Sequence, residues 1–476
     1  STEVAASTTL NLSGTGTFGS ALNLLGTLKA GANLTVSGLI SVAGNSTVSI
    51  PAAGTTLTYS GGNLNVGSHT LSIGGAGTLS NATGSPLVLD VADSILSLTG
   101  NGTISGPVKL ESGTLKSTGS PTVSGVLTQY YDATIEVSTN QTLTYSGPSL
   151  SLGANKLTLT GGGTFNNTNA LVLNNADSLL SLSGILTIRD VDGTTASNSG
   201  KGIQVTSSAT LGDYDLSAVS YLSLAANQTL AGQLNLQTNG ELKTSGDGQY
   251  IGDIALAGGK FSATDNQVLG GTLSITGNSE LTVSQGYTLT LSQSGGLALG
   301  ANTLTLSGGG SLVSGGLTLN NADSKLLLNS ITVDSVSTTI DNSLGLDVDN
   351  NSTITALSVG HITPVSIAAG SSLSGGITVT AGSLKLNETG TLASTIAMSG
   401  GVLDADNSST VSGALTQSGD ITIDVADNKT LTYSGTAISL GANMLTLSGG
   451  GSLVSGGLTL NNADSKLLLN SITLDN

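Results

Sequence analysis

Cysteine and tryptophan are absent from this 476-residue chain, phenylalanine occurs three times, and aromatic residues make up only 3% of it. Without cysteine there is no disulfide framework and no thiol-dependent site. With so few large side chains, the centre of a globular core of this size could not be filled. Charged residues amount to 9%, against about 25% in an average soluble domain. Arg189 is the only arginine, and the net charge is −17 with a pI near 4.1. Such a surface excludes a nucleic-acid binder, which needs a basic footprint, and an anionic membrane repels it. No apolar run is long enough to span a bilayer. The opening STEVAASTTLNLSG lacks the basic and hydrophobic regions of a signal peptide. Six prolines and the lack of a three-residue glycine period exclude collagen.

What is present is glycine, at 68 residues, with serine, threonine, leucine and asparagine. The aliphatic residues are too abundant and too regularly placed for a disordered chain. Between residues 141 and 188 the apolar positions fall in doublets two apart: Leu143/Tyr145, Leu150/Leu152, Leu157/Leu159, Leu171/Leu173, Leu180/Leu182 and Leu186/Ile188. Residues two apart on a strand share a face. Each LTL or LSL is therefore a short strand with leucine inward and threonine or serine outward. Neighbouring strands start about seven residues apart, with Gly, Asn, Ser and Asp at the turns. Three such sides make a rung of about 21 residues, inside the range of solenoid repeats. The expected fold is all-β: a single elongated parallel β-helix, or β-solenoid, running from 1 to 476, with 189–260 as irregular rungs or an insertion within it.

A longer period overlies the short one. LTLSGGGSLVSGGLTLNNADSKLLLNSIT occurs at 304–332 and again, letter for letter, at 445–473. Residues 126–163 align without gaps to 414–451, and weaker relatives lie at 286–310 and 55–79. Whole blocks of rungs have been duplicated, as a solenoid permits because each rung meets only its neighbours. Neither end resembles a cap, so the expectation is a segment of a longer polypeptide or a subunit whose ends are covered by other chains.

The phrases GGITVTAGSLKLNETGTL (375–392), GPVKLESGTLKSTG (106–119) and GGTLSITGNSELTV (270–283) resemble the autotransporter-associated β-strand repeat and related passenger domains of bacterial surface proteins. The resemblance implies a right-handed parallel β-helix, export, and an adhesive or structural role at the cell surface. It brings no catalytic residues with it. The aromatic-rich barrel strands of an autotransporter C-terminus are missing.

Catalytic chemistry has little to draw on. The two histidines, His69 and His361, are far apart in sequence, and no nucleophile motif stands in a convincing context. The best enzymatic region is 189–253. It breaks the Leu-Thr rhythm and holds Arg189, Asp190, Asp192, Lys201, Asp213, Tyr214, Asp215, Tyr221, Asp247, Tyr250 and Asp253. Polysaccharide lyases and hydrolases built on β-helices use such clustered carboxylates. Looser rungs with solvated turns give the same composition. Three motifs place two carboxylates two residues apart before Gly or Asn: Asp190/Asp192, Asp347/Asp349 and Asp404/Asp406. Alternating Asp in a turn can converge on calcium, although Asp and Asn also suit turns that hold no metal. The recurring NNADS at 174–178, 320–324 and 461–465 suggests a structural corner with Ala inward. Outward Thr pairs in the TLT stretches recur too sparsely for an ice-binding face.

The sequence thus points to a non-catalytic, secreted or cell-surface bacterial β-solenoid: a rigid fibre, adhesin stalk or extracellular filament. No cofactor is required, and calcium is the ion the Asp pairs would take. Its expected partners are other copies of itself or cell-surface and matrix components, glycans among them. The reading from another class is a carbohydrate-active β-helix enzyme.

Overall fold

The computed structural model describes residues 1–185 and 187–475. Strands of two to five residues predominate, their ladders run parallel, and among the described residues there is no helix. One rung shows the plan. Thr114–Ser117 forms the first side, Thr122–Val123 the second and Leu127–Gln129 the third, and Ala133–Val137 then opens the next rung on the first side. The expected β-solenoid is present, with about 23 turns of about 21 residues. Individual rungs vary: Thr9 pairs with Thr27, an offset of 18 residues, and Ser72 pairs with Ser97, an offset of 25. The extra residues of the longer rungs enlarge the corners.

The chain divides into two compact units, Ser1–Asn235 with Gly246–Ile251, and Leu236–Ser245 with Gly252–Asn476. Each unit has its own column of stacked inward side chains. In the first unit, Leu96, Leu115, Ile135, Leu159, Leu182 and Val205 follow one another through the strand register, all fully buried. In the second, Phe261, Leu281, Leu306, Leu328 and Val348 do the same. Like packs on like because parallel strands about 4.8 Å apart bring equivalent positions together. A rung alone buries too little to order its own backbone, so its stability comes from the rungs on either side.

Some rungs run two sides as one bent strand. Thr187–Gly193 and Ala209–Leu216 in the first unit are of this kind, as are Ser352–Val359 and Ser372–Val379 in the second. The bend explains a glycine of the family-like phrase. Gly375 has a φ of 118°, and a Cβ there would sit 1.8 Å from the Ile354 carbonyl oxygen. Only glycine accepts both that φ and that approach.

The NNADS corner corrects one expectation. Its inward residue is serine: Ser178 and Ser324 are fully buried while Ala322 is exposed, and the related DVADS at 90–94 does the same with Ser94 buried and Ala92 exposed. The Ser178 hydroxyl donates to the Gly153 carbonyl one rung back at 2.6 Å and accepts from the Asn175 N–H at 3.1 Å. Ser324 repeats this with Gly300 and Asn321. A hydroxyl is needed here because it both gives and accepts a proton.

Candidate functional site

The three Asp pairs look alike in sequence and meet different fates. Asp404 and Asp406 both face Lys385, whose Nζ lies 3.0 Å from one carboxylate and 3.1 Å from the other. Hydrogen bonds to Asp404 and Asp406 raise the lysine's pKa. Asp404 is pushed up by burial, with Lys385 opposing and the Asp406 and Asp424 charges adding to the rise. Asp347 pairs with Lys325 at 2.5 Å, and Asp349 points into solvent. At both places a lysine one rung back already supplies the positive charge that a cation would bring.

Asp190 and Asp192 stand on the strand Thr187–Gly193, with the inward Val191 between them. The register sets Asp190 beside Asp213 and Asp192 beside Asp215 on the next rung. Four carboxylates thus form a two-by-two array on the outside of the first unit. Asn235 donates to Asp215 at 2.6 Å. Burial pushes the pKa of Asp190 up, the charges of Asp215 and Asp213 add to it, and Arg189 opposes them. Asp192 is raised by burial and then by Asp190 and Asp215. Partial burial and the neighbouring like charges thus act in the same direction on both carboxyls.

Buried polar side chains hold the array in place. Asn167 is fully buried, and its Oδ1 accepts from the Arg189 N–H at 3.0 Å and from the Asp190 N–H at 3.4 Å. Its Nδ2 donates to the Asp190 carbonyl at 2.6 Å. Tyr214 lies between Asp213 and Asp215 in sequence but turns inward, donating to the Ser220 hydroxyl at 2.8 Å. Burial raises its pKa, so it stays a phenol.

Other residues of 189–253 do not join the array in a common site. Tyr250 is buried and donates to the Gly232 carbonyl at 3.1 Å. Asp253 accepts from the Thr272 N–H, and Asp247 is exposed. Among the described residues no group of three or more His, Cys, Asp or Glu side chains is arranged to hold a metal ion. His361 lies 3.6 Å from Asp341 on an exposed corner. An open depression of about 560 Å³ in the second unit is lined by Thr272, Ser274, Ser292, Gln293 and Ser294 with glycines and aliphatics, and carries no titratable side chain.

Several outward charges make rung-to-rung contacts. Lys260 sits between Glu241 and Glu280, its register partners on the two neighbouring rungs, at 3.9 and 3.1 Å. Lys116 meets its register partner Glu136 at 2.8 Å. Burial alone would raise Glu280, but hydrogen bonds from Lys260, Ser307 and Thr282 outweigh it and hold its carboxyl below the usual range. Sequence reading missed these pairs, as it missed the pins at Asn167 and Ser178.

No protein-family profile, curated protein or solved structure matches the chain.

Proposed function

We propose that the protein is a structural β-solenoid, secreted or displayed on a bacterial surface, that serves as a rigid fibre, adhesin stalk or extracellular filament. The observation that supports this is the direction of its outward polar contacts. Lys260 with Glu241 and Glu280, Lys116 with Glu136, and Lys385 with Asp404 link neighbouring rungs. A catalytic surface would instead turn such groups toward one substrate pocket. Here they reinforce the backbone ladders, and the mechanical strength of the stack is the activity. The test is to stretch the full chain by atomic-force microscopy. Stepwise loss of rungs, each freeing about 70 Å of chain, supports a load-bearing role. Yielding at forces typical of a loose coil would rule it out. Labelling of intact cells by antibodies to the chain tests surface display.

The array of Asp190, Asp192, Asp213 and Asp215 favours a second reading, a carbohydrate-active enzyme of the lyase or hydrolase type. Carboxylates grouped on neighbouring strands, two of them with pKa values raised by burial and by one another's charge, are an arrangement such chemistry uses. Cleavage of a polysaccharide panel by the full chain, abolished in Asp192→Asn, would establish it. An inactive wild-type chain would dismiss it.

A further inference from the structure

One corner of the first unit departs from its siblings. Four corners between the third and first sides share a latch, in which an Asp or Asn oxygen accepts the N–H that opens the first-side strand one rung on. The pairs are Asn45 with Thr70, Asp132 with Lys156, Asn278 with Thr303 and Asp420 with Met444, at 2.7 to 2.9 Å. Two of them share a second tie. Gln129 donates to the Lys156 carbonyl, and Gln417 donates to the Met444 carbonyl.

The two residues before the latch are Ala43-Gly44, Thr276-Gly277 and Ser418-Gly419 in three corners, but Tyr130-Tyr131 in the fourth. Small side chains therefore suffice to build the corner. The tyrosines are not packing residues either: Tyr130 is 48% exposed and Tyr131 is 67% exposed. By contrast Tyr59, Tyr145, Tyr214, Tyr250 and Tyr433 are all buried. A chain this poor in aromatics thus places two adjacent rings in water where the duplicated block at 414–451 places Ser-Gly.

We propose that Tyr130 and Tyr131 form a stacking platform for the pyranose rings of a neutral glycan. An exposed tyrosine offers a flat apolar face with a polar edge. A sugar ring is the matching object, with C–H groups on its faces and hydroxyls around its rim. Lys109 from the preceding rung holds its Nζ over one face of the Tyr130 ring, 5.6 Å from its centre, so the sugar stacks on the face that Lys109 does not cover. Glu111 on the preceding corner and Asp132, which follows directly, add acceptors beside the platform for those hydroxyls. The net charge of −17 repels acidic polymers, which selects uncharged sugars. The site names a receptor class for the proposed surface role and rests on that role only for where the glycan is met. Its failure would leave the mechanics of the rungs untouched, so the stretching and glycan experiments fail separately.

The test is affinity electrophoresis of the full chain through gels containing mannan, galactomannan, β-1,3-glucan or hydroxyethyl cellulose, with alginate as an anionic control. The wild-type chain is expected to be retarded by at least one neutral polymer. Replacing both residues by the second copy's own corner, Tyr130→Ser with Tyr131→Gly, should weaken binding at least about tenfold, since two stacking faces are lost. Tyr131→Phe, which keeps the ring, should bind within about twofold of wild type, well under the free energy of one lost face. If the double variant does not fold, Tyr131→Ala at the more exposed position takes its place, with circular dichroism as the check. Absence of retardation in every neutral gel, retardation by alginate alone, or equal retardation of the ring-less variant would each overturn the proposal.

Discussion

Leu328 and Leu469 are the same residue of the same 29-residue sequence, yet Leu328 is fully buried and Leu469 is 54% exposed. Leu328 is covered by the rung that carries Val348, its register partner. Leu469 pairs with Leu447 on one side only among the described residues. Local sequence is held constant, so the difference isolates what one neighbouring rung contributes. Leu328→Ala should cost about 2–5 kcal/mol, and Leu469→Ala less than about 1 kcal/mol. Urea unfolding of the two variants, with hydrogen exchange in Lys325–Asn329 and Lys466–Leu469, measures the contrast. Equal losses would contradict the neighbour account.

Asn167 holds the backbone of Arg189 and Asp190 from one rung away. Asn167→Ala should destabilise the first unit by about 1–3 kcal/mol, because buried amides are left without a partner. Amide exchange at Arg189 and Asp190 should quicken ahead of the Leu115 and Ile135 strands. Uniform quickening would mean that the pin acts on the whole unit.

Acid should act in opposite senses at two places. Asp190 and Asp192 have raised pKa values, so the folded state holds protons that the unfolded chain has released. Their contribution is unfavourable at neutral pH and is relieved as pH falls through the raised folded values. Asp192→Asn should therefore raise the melting temperature at pH 7, and the gain should vanish below the normal Asp range. For Asp334, burial alone would raise the pKa, but donors from Ser314, Ser335 and Gly315 bring it lower. Its contribution is present above the unfolded value and is lost as pH falls through the depressed folded one. Asp334→Asn should accordingly lower the melting temperature at pH 7 and matter little in strong acid. Melting curves of both variants across pH 2–8 check the signs.

Lys260 neutralises two glutamates at once. Lys260→Met should destabilise the second unit by about 1 kcal/mol, mostly because Glu241 and Glu280 are left facing each other's field. Added salt should shrink the loss by screening. A loss independent of salt would point to packing of the lysine stem instead.

The rungs were legible because inward and outward residues alternate with period two, and short strands repeat that signal many times. Leu143, Leu157 and Leu159 could be placed inward from their own neighbours in sequence, and all three are fully buried. Residues whose partners lie on the next rung could not be placed. The offset between rungs varies from 18 to 25 residues, so no fixed spacing tells Asp404 that it will meet Lys385, or Asp190 that it will meet Asp213. The DVDG, DVDN and DADN motifs look equivalent for this reason, although two of them are occupied by lysine. Ser178 and Ala176 were confused in the same way, since only the Gly153 carbonyl one turn back reveals which of them is needed inside.

The latches at Asp132 and Asp420, together with the ladders on every side, give the chain a tolerance of cutting. A protease that nicks one exposed corner severs a covalent bond, but the strands on both sides of the nick stay stitched to the coils before and after them. No fragment is shed. A molecule built this way can be cleaved at a corner and still transmit tension across the break.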